Sequence, residues 1–323
     1  MKVITCFSYK GGAGRTTAAA NIATALASIT PNVGSIEHPL GCKVALIDLD
    51  VFSAGTHRVF EISNEQLGSH SPWIQEYMRE EMSPREYADQ GGITLDNPLM
   101  DQFRMARGAA DNCHPSFTLF PAKPDPDIRF VVQKQHENVL VELLMELESK
   151  ERSFDYVILD GESGTRQMAD IAIRLADVVL MFFRLTWQHI EGSLVAADDF
   201  ERKNAQASYY KPFYLIPTCV PLVLGDQNVY RDDAPGLAEL VELTSSIPEK
   251  SYLNRYAQEH QKGPGHFWAE DSGSANRLCV HDSLYLKGEE RVIVFDAAAN
   301  VDQAASDFYR IAVELNRLHQ PSS

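Results

Sequence analysis

The chain has 323 residues, 44% of them hydrophobic and 23% charged, proportions that suit a soluble globule with room for one large α/β domain or two ordinary ones. Its formal net charge of −16 opposes unspecific attraction to DNA or anionic membrane, and no apolar run is long enough to span a bilayer. Cys6, Cys42, Cys113, Cys219 and Cys279 are odd in number, widely spread and without a C-x-x-C pair, which argues against a disulfide framework or a zinc site and suits a reducing cytoplasm.

No charged-then-apolar leader precedes the first apolar run, so the chain is expected to stay unexported. That run, Val3-Ile4-Thr5-Cys6-Phe7, reads as a buried strand, and Ala18 to Ile29 carries small and apolar residues at helical spacing. Between them lies Ser8-Tyr9-Lys10-Gly11-Gly12-Ala13-Gly14-Arg15-Thr16-Thr17. Strand, glycine loop and helix in this order make a phosphate cradle: glycines let backbone N–H groups turn towards an anion, and the helix start adds free donors and a positive dipole end. Against the pattern G-x-x-x-x-G-K-[ST], Tyr9 replaces the first glycine and Arg15 the lysine, while Thr16 supplies the hydroxyl.

Lys10-Gly11-Gly12-Ala13-Gly14-Arg15-Thr16-Thr17 resembles the deviant Walker A loop of the ParA/MinD family of P-loop ATPases, in a branch that reads KGGxGR rather than KGGxGK. The resemblance implies an α/β fold with a doubly wound, mostly parallel sheet flanked by helices. It implies ATP and Mg²⁺ as ligands and a homodimer closed around the nucleotide. Residues 10 to 17 would bind the nucleotide, Lys10 would reach the partner subunit's nucleotide, and Thr16 would ligate the metal. Arg15 keeps the positive charge of the lysine it replaces and offers a planar five-donor fork, which suits phosphate binding and makes hydrolysis depend on its geometry.

Thr30 to Gly41 carries prolines and glycines and is expected as an exposed loop. The next strand, Lys43-Val44-Ala45-Leu46-Ile47, delivers Asp48-Leu49-Asp50 at its carboxyl end, where open parallel sheets bind ligands. By the resemblance, Asp48 belongs on the metal side and Asp50 on the side of the attacking water. Residues 53 to 127 read as an irregular insertion with helical pieces at Trp73–Met78 and Met100–Met105 and a short strand over Leu119–Ala122. His57 and Arg58 follow Asp50 closely enough to approach the site, and a surface place is equally open. Ile128 to Leu147 reads as a helix closed by solvated charge over Glu148–Arg152.

Phe154-Asp155-Tyr156-Val157-Ile158-Leu159 ends in Asp160, as a Walker B strand does, and Asp160-Gly161-Glu162-Ser163-Gly164 resembles the family's D-x-x-x-G switch. Asp160 is therefore a further metal-side residue, and Glu162 is expected as an exposed loop carboxylate. A helix over Ala169–Leu175, a central strand over Ala176–Phe183, a helix over Glu191–Phe200 and a strand over Phe213–Ile216 follow. Trp187 is expected in the core. The asparagine with which the family holds adenine after this strand is missing. A second insertion covers 220 to 278; within it Gly263–Asp271 suits a partner-binding loop or an ordinary excursion. His281–Tyr285 and Gly288–Phe295 resemble the family's late loop and last strand, His281 lacks companions at ligand spacing, and Ala304–Leu318 reads as a core-packing amphipathic helix.

The reading is one P-loop domain over residues 1 to 323 with two insertions: a cytoplasmic, nucleotide-switched ATPase that hydrolyses ATP slowly to control a partner protein or assembly. Lys10, Arg15 and Asp50 would carry catalysis; Thr16, Asp48 and Asp160 would hold Mg²⁺, partly through water. The alternative is a dimeric nucleotide-binding scaffold with little or no hydrolysis. DNA is a possible partner that the net charge disfavours, and no membrane is expected. An iron–sulfur carrier on this fold would need paired cysteines, and a capsule-type tyrosine kinase would need a terminal tyrosine cluster; the sequence offers neither.

Overall fold

The computed structural model describes residues 1–27, 41–60, 62, 72–79, 81–95, 116–124, 130–164, 166–184, 186–207, 210–220, 268–271, 274–277, 280–283 and 303–319. The expected loop over Thr30–Leu40, the helical piece at Met100–Met105, Cys113, Cys279, most of the second insertion and the late strand Gly288–Phe295 lie outside these residues.

Ten strands and eight helices are described. They are β1 (Lys2–Phe7), α1 (Arg15–Ala27), β2 (Lys43–Asp48), α2 (Thr56–Val59), α3 (Ile74–Met78), α4 (Pro84–Gln90), β3 (Ile93–Thr94), β4 (Ser116–Phe120), α5 (His136–Glu148), β5 (Tyr156–Asp160), α6 (Gln167–Leu175), β6 (Val178–Arg184), α7 (Trp187–Gln206), β7 (Phe213–Val220), β8 (Trp268–Asp271), β9 (Ser274–Arg277), β10 (Val280–His281) and α8 (Gln303–His319). Eight strands form one sheet in the order β10-β7-β6-β1-β5-β2-β4-β3, parallel throughout except for β3 against β4. β8 and β9 make a separate antiparallel pair.

Period-two alternation explains why the strands are apolar almost throughout: each face of the sheet has its own helical cover. Ile4, Cys6, Val44, Leu46, Ile158 and Leu180 point to the face packed by α1 and α8. Val3, Ala45, Ile47, Val157 and Leu159 point to the opposite face, packed by α3, α4, α5 and α6. Phe7, Val179, Met181 and Leu215 continue that alternation into a third cluster under α7. α1 is buried nearly all round, so its polar members turn inward on the helix itself: Asn21 Nδ2 donates to the Thr17 carbonyl at 2.9 Å and Thr24 Oγ1 to the Ala20 carbonyl at 2.9 Å.

The first insertion contributes more regular structure than expected. β4 extends the sheet beside β2, β3 turns back against it, and α4 is capped by Ser83, whose hydroxyl accepts from the Glu86 N–H. α5 starts at His136 rather than near 128, because Phe130 is buried in a non-helical stretch and stacks on the His136 ring at 5.5 Å. Arg152, expected among solvated charges, binds Glu146 and Asp89 and ties α5 to α4. β7 continues through Pro217 to Val220, since β10 pairs with Thr218 and Val220 at its far end. At the end of the chain, His281 N and Nδ1 both lie 2.8 Å from Asp307 Oδ2, clamping β10 to α8. In α8, Phe308, Ile311 and Leu315 are buried while Leu318 is exposed.

Candidate functional site

β1 is the central strand, flanked by β5 and β6, and its carboxyl end feeds the glycine loop into α1. Two glycines there adopt the left-handed backbone the turn requires, Gly12 and Gly14 with φ of 77° each. The Gly14 carbonyl accepts the first α-helical bond, from Ala18 N at 2.8 Å. The Ala13 carbonyl is pinned from the far side by Thr218 Oγ1 at 2.9 Å, so β7 braces the loop. The D-x-x-x-G segment is stitched to the same loop: Gly161 N donates to the Cys6 carbonyl at 3.2 Å and Gly164 N to the Ser8 carbonyl at 3.0 Å. Gly164 has a φ of 86°, a turn that favours glycine.

These segments wall a cavity of about 510 Å³. Residues 11 to 17 form one side, Asp50, Phe52 and Ser53 a second, and Glu162, Ser163 and Arg166 a third. The positions at which Cβ atoms would stand on Gly12 and Gly14 meet nothing within 4 Å. Lys10 is exposed and outside the cavity lining, as are buried His57 and exposed Arg58. Tyr9, which replaces the usual glycine, lays its ring on α7 at Gly192, where a Cβ would come within 2.2 Å of Tyr9 Cδ1. A glycine absent from the loop is thus compensated by one in the facing helix.

The carboxylates are arranged in two tiers. Asp48 is fully buried and already engaged: Oδ2 accepts from Thr56 Oγ1 at 2.6 Å, Thr56 N at 3.2 Å and Gly55 N at 3.3 Å, and Oδ1 from Asp50 N at 3.1 Å. It shapes the turn after β2. Burial, then the charge of Asp160, push its pKa up to about 7. Asp50 and Asp160 share one cation instead. Arg15 Nε donates to Asp160 Oδ1 at 2.7 Å, and Arg15 Nη2 to Asp50 Oδ2 at 2.7 Å. The same Nη2 lies 3.4 Å from Thr16 Oγ1. Burial works against the Arg15 charge, but Asp160 and then Asp50 outweigh it and raise its pKa. For Asp50, burial outweighs the pull of Arg15, so its pKa is raised.

Asp160 Oδ2 is buried with no hydrogen-bond partner among the described residues. With the Thr16 hydroxyl and Asp50 beside it, the donors on offer are all hard oxygens, the set that suits Mg²⁺. Among the described residues no group of three or more His, Cys, Asp or Glu could hold a metal ion by itself.

Glu162 departs from its expected place. It is 3% exposed, not a solvated loop carboxylate, and Arg166 four residues on pairs with it. Burial, opposed by Arg166, raises its pKa. Arg166 also lies over the Phe52 ring, 5.9 Å from its centroid. Sequence reasoning missed Phe52, Ser53 and Arg166; the only available signal was their nearness to the D-x-D and D-x-x-x-G segments.

A family model for an AAA domain matches residues 1–198. The septum site-determining protein MinD of Neisseria meningitidis is 29% identical over 180 residues, covering 56% of this chain and 52% of that protein, so the chain spans about half the length of the curated relative it matches. Among solved structures, the MinC:MinD complex of Aquifex aeolicus is similar with a TM-score of 0.58 at 18% identity, over 100% of this chain and 98% of that one. MinD of Pyrococcus horikoshii complexed with Mg-ADP gives 0.56 at 15% over 98% and 96%. A plasmid partition protein of Borrelia burgdorferi bound to AMPPNP gives 0.54 at 15% over 98% and 99%. At these identities the structures speak for the fold: a mostly parallel sheet with flanking helices. No helix among the described residues is long and apolar enough to cross a membrane.

Proposed function

The chain belongs to the AAA-domain family of ParA/MinD-like P-loop ATPases, and from that premise we propose that it is a nucleotide-switched ATPase that takes ATP and Mg²⁺ in the cavity beside the glycine loop. The observation that carries the reading is the cavity itself: about 510 Å³, walled by the loop that opens α1 and by Asp50, with Asp160 tied to that wall through Arg15. Loop amides from residues 11 to 17 and the Arg15 fork would hold the phosphates. Thr16, Asp160 and, through water, Asp48 would serve the metal side, although the hydrogen bonds of Asp48 make it first a shaper of the turn. Thr16 and Asp160 would hold Mg²⁺, which would supply positive charge against the charge that develops on the phosphates during transfer. Asp50 would orient the attacking water. Lys10, exposed beside the cavity, would complete the site of the partner subunit in a homodimer closed around nucleotide. In that role the chain would act in the cytoplasm and report its nucleotide state to a protein partner.

One observation favours a second reading, a nucleotide-loaded dimeric scaffold with little turnover: the carboxylate expected to orient water is held by Arg15 at 2.7 Å. Phosphate release and light-scattering mass, measured together with ATP and Mg²⁺, separate the two. The ATPase reading requires slow release with a doubled mass, and loss of release in Lys10→Ala and Asp50→Asn while ATP still binds. A doubled mass without release supports the scaffold. Release unchanged in both variants refutes the assigned roles.

A further inference from the structure

Arg15 stands at the first position of α1 with only 7% of its side chain exposed, so its charge is spent inside the protein. Its guanidinium touches, at 2.7 Å, 2.7 Å and 3.4 Å, oxygens of Asp160, Asp50 and Thr16. Those three side chains are also the ones with oxygens to offer a divalent cation. One positive charge faces two carboxylates, and Asp160 Oδ2 is left buried without a partner among the described residues. The cluster is therefore under-neutralised while Arg15 blocks its middle.

We propose that Arg15 and a divalent cation are alternative occupants of the Thr16–Asp50–Asp160 cluster, so that Arg15 sets the order of binding: phosphates first, metal second. Arg15 also lines the cavity, and its fork matches phosphate oxygens as well as it matches carboxylates. Phosphates entering the loop offer Arg15 a new anion. Its departure frees Asp50 and Asp160 together, since the same guanidinium holds both. Without phosphates, the arginine keeps the metal out. A lysine ammonium in its place is a single point of charge and would not hold two carboxylates through two separate nitrogens.

The inference rests on the nucleotide and metal reading of this site, and its test keeps the two apart by containing no nucleotide. Mn²⁺ serves as the probe, titrated into the full chain and followed by electron paramagnetic resonance. Wild type is expected to bind weakly. Arg15→Gln is expected to bind about 10–100-fold more tightly, the range in which groups contacting metal ligands tune affinity. The gain should vanish in Arg15→Gln/Asp160→Asn. Circular dichroism establishes that each variant is folded. Should Arg15→Gln not fold, Arg15→Lys, which keeps the charge and gives up the fork, carries the test with a smaller gain. A folded variant that binds Mn²⁺ no more tightly than wild type overturns the proposal and leaves the nucleotide reading of the site standing. Failure of ATP to bind wild type overturns the nucleotide reading instead.

Discussion

Replacing Arg15 by glutamine removes the sole cation that contacts Asp160 among the described residues and one partner of Asp50. The cost follows from burial. Asp160 is fully buried, and stripping the partner from a buried pair costs about 3–5 kcal/mol because the remaining charge is uncompensated. The Asp50 side chain is 11% exposed, so water recovers part of its loss and it adds about 1 kcal/mol. A fall in unfolding free energy of about 4–6 kcal/mol is therefore expected at pH 7. Arg15→Lys, which keeps the charge and at most one contact, should lose about 1.5–3 kcal/mol, the worth of one charge-assisted hydrogen bond. Urea unfolding of wild type, Arg15→Gln, Asp160→Asn and the double variant closes a thermodynamic cycle. The double variant should be more stable than the sum of the single losses implies, since it buries no orphaned charge at position 160, with a coupling of about 0.5–3 kcal/mol. An Arg15→Gln variant within about 0.5 kcal/mol of wild type, or strict additivity with Asp160→Asn, would refute the ion-pair account.

Gly192→Ala places a methyl 2.2 Å from Tyr9 Cδ1; overpacking of this kind costs about 1–3 kcal/mol, partly offset by the better helix propensity of alanine. Tyr9→Ala should rescue it, and a Tyr9→Ala/Gly192→Ala protein no more stable than Gly192→Ala by thermal unfolding would contradict the contact. The pKa of Asp48 is raised to about 7 in the folded chain, so folding takes up a proton between about pH 4 and pH 7 and this carboxyl's contribution to stability falls as pH rises through that window. Asp48→Asn should accordingly gain on wild type from pH 5 to pH 7.5 in urea unfolding; a gap independent of pH would count against it. Asp307→Ala leaves His281 N and Nδ1 without the carboxylate that accepts both, and should cost about 2–5 kcal/mol while leaving ATP affinity unchanged.

Much of the sheet was legible because β1, β2, β5 and β6 are covered on both faces and so appear as mostly apolar runs, with β2 and β5 ending in Asp48 and Asp160. The glycine loop was legible for the opposite reason, since its backbone demands residues without Cβ atoms. Short β3 and the late start of α5 were not: a two-residue strand has no period to read, and Phe130 is apolar in either conformation. The site's electrostatics were hidden by sequence distance. Arg15 meets Asp50 and Asp160 across 35 and 145 residues, and Glu162 is buried with Arg166 as its ion-pair partner, which no periodicity announces. Asp48 illustrates a third limit: two aspartates on one strand tip share a direction, but only the turn at Gly55 and Thr56 decides that the first is consumed by backbone donors.

The most direct measurement is a calorimetric titration of the full chain with ATP and Mg²⁺, run beside Gly12→Ala, whose added methyl would stand in open space at the edge of the cavity. A triphosphate cradle requires saturable heat at one nucleotide per chain in wild type and affinity at least about tenfold weaker in a folded Gly12→Ala. No heat from folded wild type, or the same isotherm from both proteins, would contradict it.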